Sequence, residues 1–281
     1  MTSLKNFFLL LRISHWTKAI FVMLGVIYYD TPDYWPQALV AAFAFCLIAS
    51  AVYIYNDLQD LDEDRLHPQK SLRPLASAKV SIEFALSACA FLLVSGLGIS
   101  LAISNKLTLI LGIYLVINIM YNYWLRKVPI ADVLCIASGF MLRTLAGTIG
   151  IGLPFAWWLT LTVTWFTLFI ALNKRRLEMQ LQRHTIRAAL SKYNPRLLDI
   201  LIIGTAITCF FTYLFYILYE QEESFYFILT LPFTAFGLWR FIWLTTRKSS
   251  HDDPVALFFS DILSRINLVC FFGLTLMAIA Q

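Results

Sequence analysis

The sequence predicts an all-α polytopic membrane protein, nine membrane-spanning helices forming one integral-membrane domain over residues 1–281. Three observations predict it. Hydrophobic residues make up 59% of the chain and charged residues 14%, against roughly 45–50% and 25% in soluble domains. Apolar runs of roughly 20 residues recur along the whole sequence, each long enough to cross a hydrocarbon core about 30 Å thick. Positive charge is concentrated in alternate connections between those runs.

Nine candidate helices follow in order: Ala19–Tyr29, Gln37–Tyr55, Ile82–Ser104, Leu107–Leu125, Ile130–Ile151, Phe155–Asn173, Leu197–Tyr219, Phe225–Leu244 and Val255–Ala280. The first is short, and an amphipathic stretch around Phe7 to Trp16, lying on the membrane surface, is expected to lead into it. Lys5, Arg12 and Lys18 run into apolar sequence with no small-residue cleavage pattern, so the first segment is expected to be retained. With nine spans, the N-terminus and the loops after helices two, four, six and eight share one side. That side carries Lys5, Arg12, Lys18, Arg65, Lys70, Arg73, Lys79, Arg126, Lys127, the basic residues from Lys174 to Arg196, Arg247 and Lys248. The opposite loops carry Lys106 and the acids Asp30, Asp33, Glu220, Glu222 and Glu223. The positive-inside rule makes the basic side cytoplasmic, in an inner (plasma) membrane, and an even number of spans would break the asymmetry. The longest connection, Lys174 to Arg196, has helical character with a breaker at Asn194-Pro195.

The net charge of +5 does not indicate nucleic acid, because the basic residues sit in loops rather than along one face; anionic lipid and phosphate are the better partners. Cys46, Cys89, Cys135, Cys209 and Cys270 fall in apolar stretches without metal-ligand spacing and read as small hydrophobes. Gly96-x-Gly98 and Gly147-x-x-Gly150-x-Gly152 are small-residue faces that pack helices within a chain or between copies, so a homo-oligomer stays open.

The chemistry gathers at the end of helix two, Asn56-Asp57-Leu58-Gln59-Asp60-Leu61-Asp62-Glu63-Asp64-Arg65. On a helix, Asp57, Asp60 and Asp64 fall within about 60° of arc. Three carboxylates so close repel one another unless a divalent ion neutralises them, and hard oxygen ligands suit Mg²⁺, which completes its shell with water and substrate phosphates. The plain alternative is a solvated acidic loop that stops a span. Against it stand Arg65, His67, Lys70 and Arg73, cations suited to the oxygens of a metal-bound diphosphate.

Helix six ends in Asn173-Lys174-Arg175-Arg176-Leu177-Glu178, on the same aqueous side, where it and the Asp cluster are expected to close one pocket. Glu178 either pairs with Lys174, four residues earlier, or contributes an oxygen ligand; for Lys174 and Arg175 a functional role is favoured over anchoring. Arg143 lies near the middle of helix five, where a charge is expensive and must face the bundle interior. A phosphate or the Asp cluster is its expected partner, Asp132 on the same helix being too distant. Lys18 and Lys127, at cytoplasmic helix ends, are either anchors or phosphate ligands.

Asn56-Asp57-x-x-Asp60-x-x-x-Asp64-Arg65 followed by Arg73-Pro74-Leu75-Ala76-Ser77 resembles the first signature of the UbiA superfamily of intramembrane prenyltransferases, whose nine-helix bundle agrees with the span count over essentially the whole chain. The superfamily's second Asp-rich motif is absent, and Lys174-Arg175-x-x-Glu178 stands in its place. In this the chain is similar to the branch that makes decaprenylphosphoryl phosphoribose, as it is in Trp16-x-Lys18, His67-Pro68-x-Lys70-x-x-Arg73-Pro74, Phe140-x-x-Arg143-x-x-Ala146-Gly147 and Asp253-Pro254-Val255. It departs from that branch in His15-Trp16-Thr17-Lys18-Ala19, where Gln before the Trp and Asn after the Lys are expected. The resemblance implies that Mg²⁺ on Asp57, Asp60 and Asp64 binds the pyrophosphate of phosphoribosyl pyrophosphate, that a polyprenyl phosphate attacks ribose C1, and that Asn56, Lys18, Arg65, Lys70, Arg73, Lys127, Arg143, Lys174, Arg175 and Glu178 hold the substrates. The alternative within the superfamily is prenyl transfer from a diphosphate to an aromatic or glycerol-type acceptor. A transporter or channel is a third class; it predicts acidic residues inside several spans, whereas here they cluster at one face.

Overall fold

The structure is a computed structural model that describes residues 4–181, 193–220, 225–247 and 253–279. Among the described residues it is all-helical, and it divides into two compact units: residues 1–122 with 142–155, and residues 123–141 with 156–281.

The first unit begins with α1 (Leu4–Leu11), a 3-10 stretch (Ile13–Ala19) and α2 (Ile20–Tyr28). Together they form one run of 25 residues apolar enough to span a membrane. Within the expected amphipathic lead-in, Leu10 and Leu11 are buried in a cluster with Leu47, Ala51 and Ile54, so burial of their side chains holds this face of the segment against α3. Arg12 makes the bend between α1 and the 3-10 stretch at φ 51°. Trp16 Nε1 donates to Ser50 Oγ at 3.0 Å, and Ser50 Oγ donates to the Leu11 carbonyl at 2.8 Å, pinning the segment to α3 (Trp35–Gln59).

The short α4 (Leu61–Leu66) follows α3 across Asp60, and α5 (Ile82–Ile103) is capped by Ser81, whose Oγ accepts from Phe84 N–H at 3.2 Å. Next come α6 (Asn105–Tyr123) and α7 (Ala131–Ala146), whose last turns belong to the first unit. There Gly147 meets α2 so closely that a Cβ would lie 1.6 Å from the Val22 carbonyl oxygen. Only glycine admits this backbone-to-backbone approach. The small-residue face read from the sequence is thus used within the chain at this position, and it fixes Arg143, one turn earlier, beside the N-terminal segment.

The second unit contains the start of α7, then α8 (Trp157–Gln180), α9 (Pro195–Glu220), α10 (Phe225–Leu229), α11 (Leu231–Thr246), α12 (Pro254–Ser260) and α13 (Ile262–Ile279). Two expected spans are interrupted. Pro232 opens α11 after the break at Thr230, and Asp261 separates α12 from α13 by accepting from Ser264 N–H at 2.9 Å as a cap.

Among the described residues eight helices are long and apolar enough to cross a membrane. The expected ninth corresponds to α8, which is 24 residues long but diluted by three tryptophans and four threonines before its charged end. Two of its threonines turn inward to their own helix, Thr164 Oγ1 donating to the Thr160 carbonyl at 2.7 Å and Thr167 Oγ1 to that of Val163 at 2.8 Å, which removes their demand for water, whereas the buried hydroxyls of Thr160 and Thr162 make no hydrogen bond. The helical connection expected between Lys174 and Arg196 is seen as far as residue 181; residues 182–192, with Arg183, Arg187 and Lys192, lie outside the described residues, as do Glu222, Glu223 and Lys248.

Candidate active site

In the first unit, α3 carries Asp57 at its last turn, Asp60 at its end and, through α4, Asp64. The i to i−4 backbone pattern continues across the junction, Asp60 N–H bonding the Asn56 carbonyl at 3.0 Å and Asp64 N–H that of Asp60 at 2.8 Å. Asp57 and Asp64 are therefore brought to one side although the helix bends between them, and both are buried, at 3% and 1% exposure. A single nitrogen joins them: Arg73 Nη1 bonds Asp57 Oδ1 at 3.0 Å and Asp64 Oδ2 at 2.5 Å. Arg12 Nη2 bonds the same Asp57 oxygen, and Lys70 Nζ lies 3.4 Å from Asp64 Oδ1. Arg73 is placed there by the tight chain after α4, where Pro74 and Leu75 are buried and Ser77 Oγ donates back to the Arg73 carbonyl at 2.7 Å.

The other predicted site residues distribute as follows. Asn56 accepts from Asn122 Nδ2, which ties α3 to α6. Asp60 is half-buried at the junction. Arg65 pairs with exposed Asp62 at 3.3 Å. Lys18 Nζ lies 3.5 Å from Tyr53 Oη, and Arg143, 5% exposed, stacks over Phe45 and Tyr114 with its guanidinium carbon 4.6 and 5.3 Å from the ring centres. Arg12 was counted from the sequence among the positive-inside charges; its direct bond to Asp57 is a role that no local motif announces, because 45 residues separate the two.

In the second unit, Lys127 is exposed at the end of a 3-10 turn, Leu125–Lys127, and Lys174 is half-buried on α8. Arg175 is 1% exposed; its Nε donates to Asp132 Oδ2 at 2.7 Å and its Nη1 to Glu178 Oε2. Glu178 thus pairs with Arg175, three residues before it, and not with Lys174, one of the two roles the sequence left open for it. Tyr193 Oη donates to Asp132 Oδ1 at 2.5 Å and accepts from Ile130 N–H at 2.8 Å, which braces Ile130 at φ 68°. Burial, with the Asp132 hydrogen bond next, pushes the Tyr193 phenol above its usual range.

Magnesium takes hard oxygen ligands and is commonly held by one or two protein carboxylates, with waters and substrate phosphates completing its shell. Asp57 and Asp64 fit that requirement, since one nitrogen already touches both and the buried Asp64 Oδ1 makes no hydrogen bond. The helical projection gathered three carboxylates; the structure brings two together, and among the described residues no group of three His, Cys, Asp or Glu side chains converges.

A helical bundle of apolar, span-length helices with buried carboxylates ringed by arginine and lysine at a helix end is the architecture of a polytopic membrane enzyme. Residues 19–263 match the model of the UbiA prenyltransferase family, and the chain belongs to that family; it is a membrane transferase. It is 31% identical over 220 residues to the decaprenyl-phosphate phosphoribosyltransferase of Mycolicibacterium smegmatis, covering 73% of this chain and 69% of that one. To the protein of the same name from Corynebacterium glutamicum it is 28% identical over 262 residues, covering 88% and 79%. A UbiA homologue from Archaeoglobus fulgidus, solved bound to GPP and Mg²⁺, shares the fold with TM-score 0.71 at 17% identity over 96% of this chain and 99% of that one.

Proposed function

We propose that this protein transfers a 5-phosphoribosyl group from phosphoribosyl pyrophosphate to a polyprenyl phosphate of the decaprenyl type, releasing diphosphate, with Mg²⁺ at Asp57 and Asp64 and with Asp60 close to it. The observation that carries the reading is the pair of buried carboxylates sharing one arginine nitrogen amid further cations, a site that accepts a metal and a diphosphate together. The names of the relatives at 31% and 28% identity support phosphoribosyl transfer over prenyl transfer. The distribution of lysine and arginine supports a site facing the cytoplasm.

Bound at this site, the metal supplies positive charge against the departing diphosphate. Arg12, Arg73 and Lys70, which now bond the carboxylates, have donors in place for diphosphate oxygens. A phosphate oxygen of the lipid forms a new bond to ribose C1 while the bond from C1 to the diphosphate oxygen breaks, and the electron pair leaves with diphosphate. No proton needs to move, because the attacking phosphate is already ionised. The residues' task is to hold two anions against their mutual repulsion and align them.

The test incubates the purified protein with Mg²⁺, ribose-labelled phosphoribosyl pyrophosphate and decaprenyl phosphate. Label is expected in the organic phase, and its transfer is expected to be lost in Asp64→Asn. No lipid labelling across several polyprenyl lengths, together with turnover of a prenyl diphosphate, would overturn the reading in favour of prenyl transfer.

A further inference from the structure

The sequence groups His67 with Arg65, Lys70 and Arg73 as a cation for diphosphate oxygens, but the structure sets its ring to a different task. Its Nδ1 accepts two backbone N–H groups, that of Gln69 at 3.1 Å and that of Lys70 at 3.2 Å. An imidazole nitrogen that accepts carries no proton, so the ring proton sits on Nε2. The His67 N–H meanwhile donates to the Asp64 carbonyl at 3.2 Å, closing α4, and the His67 carbonyl accepts from Ser71 N–H at 3.1 Å. One residue thus holds both the end of α4 and the start of the turn that follows.

The local sequence explains why a side chain is needed there. Pro68 favours extended backbone at the residue before it, and His67 stands at φ −87° and ψ 133°, which ends the helix. Pro68 has no N–H of its own, and the 3-10 turn Lys70–Leu72 begins with N–H groups that lack a helical partner. The His67 ring supplies the acceptor that Asp, Asn or Ser supplies at an ordinary helix start. The turn it caps carries Lys70, whose Nζ lies 3.4 Å from Asp64 Oδ1. It then leads, through the bond from Arg73 N–H to the Lys70 carbonyl at 3.0 Å, into the arginine that touches both carboxylates. Lys70 has a long side chain that is 38% exposed, so a fixed backbone beneath it removes much of the freedom its ammonium would otherwise have to lose.

We infer that His67 is a positioning residue: as the Nε2–H tautomer, accepting through Nδ1, it fixes the turn that sets Lys70 and Arg73 against Asp64, and it does not itself touch the diphosphate. The inference rests on the reading of this site as one for Mg²⁺ and a diphosphate, and adds a role for a residue that contacts neither. Two substitutions separate action through Nδ1 from action through Nε2. The amide oxygen of Asn falls close to the place of Nδ1, whereas the amide of Gln reaches the place of Nε2.

The experiment measures, by titration calorimetry of the full-length protein in detergent, the binding of pyrophosphate in the presence of Mg²⁺ to the parent, His67→Ala, His67→Gln and His67→Asn. Affinity is expected to fall about tenfold in His67→Ala and His67→Gln, as the loss of one or two hydrogen bonds implies, and to stay within about threefold of the parent in His67→Asn. Retention in His67→Gln with loss in His67→Asn would mean that Nε2 meets the anion, and overturns the inference. Parent-like binding in all three variants, or equal loss in all three, overturns it as well. The second readout is the ring itself. In protein labelled with ¹⁵N-histidine, the resonances missing from His67→Asn report the tautomer of His67, and this decides the matter even if His67→Ala does not fold. Nδ1 without a proton and Nε2 with one is the expected result at neutral pH; a proton on Nδ1 overturns the inference. Should the parent protein not bind pyrophosphate, the reading of the site falls, and the tautomer alone decides whether His67 holds the turn.

Discussion

Each unit contains an arginine that bonds two acidic side chains, and the two clusters differ in what surrounds them. In the first, the carboxylates of Asp57 and Asp64 are buried while the side chain of Arg73 is 29% exposed. In the second, the side chains of Arg175 and Asp132 are both 1% exposed, and Tyr193 covers the remaining Asp132 oxygen. A half-exposed arginine can leave its carboxylates to another cation at modest cost, whereas a sealed one cannot be removed without leaving a buried charge alone. The same pairing therefore marks an exchangeable site in one place and a clamp in the other.

The largest expected break in that comparison is Arg175→Met, which leaves Asp132 buried and uncompensated. It should lower stability by about 3–5 kcal/mol, read as loss of folded protein on thermal melting in detergent, with much of the loss recovered in Asp132→Asn/Arg175→Met. Asp57→Asn sharpens the comparison from the other side. Transferase activity should fall by about 100-fold or more, while the melt shifts by no more than ~1 kcal/mol. A smaller effect is expected from Tyr193→Phe, which removes the donor to Asp132 and the acceptor for Ile130 and should cost about 1–2 kcal/mol. The smallest effect is one of pH. Because the Tyr193 phenol is raised in the folded state, its contribution is fully present below the unfolded value near 10 and is lost as pH rises through the raised folded value. The parent protein's melting temperature should therefore be flat with respect to this group from about pH 7 to 9 and fall more steeply than that of Tyr193→Phe above pH 10.

Hydropathy and charge asymmetry made the bundle legible, because a helix in lipid must present about 20 apolar residues whatever its neighbours are. Asp57 and Asp64 were legible from helical spacing, and Lys70 and Arg73 from their nearness in sequence. What escaped depends on contacts between distant segments. Arg12 looks like any N-terminal positive charge until α3 places Asp57 against it. From sequence Arg175 reads as a phosphate ligand and its bond to Asp132 is invisible, and Glu178 was left between pairing with Lys174 and an oxygen-ligand role, because its pairing with Arg175 depends on how the guanidinium is oriented in the fold. α8 was read from the sequence as the span Phe155–Asn173 despite its threonines, two of which, Thr164 and Thr167, satisfy their hydroxyls within the helix and so cost less in lipid than their composition suggests.

The bend at Arg12 bears on how the protein enters its membrane. Synthesis runs from the N-terminus, so Arg12 emerges 45 residues ahead of the aspartate it bonds in the finished fold. During that interval it is an unneutralised charge beside the first hydrophobic run, and on the proposed orientation it helps retain the N-terminus in the cytoplasm. Once α3 has inserted, Asp57 arrives at the same face and takes up that charge. On the proposed orientation and site, one side chain would act first as a topology signal and afterwards beside the proposed catalytic carboxylates, and a substitution there would be read twice, in the fraction of chains correctly inserted and in the turnover of those that are.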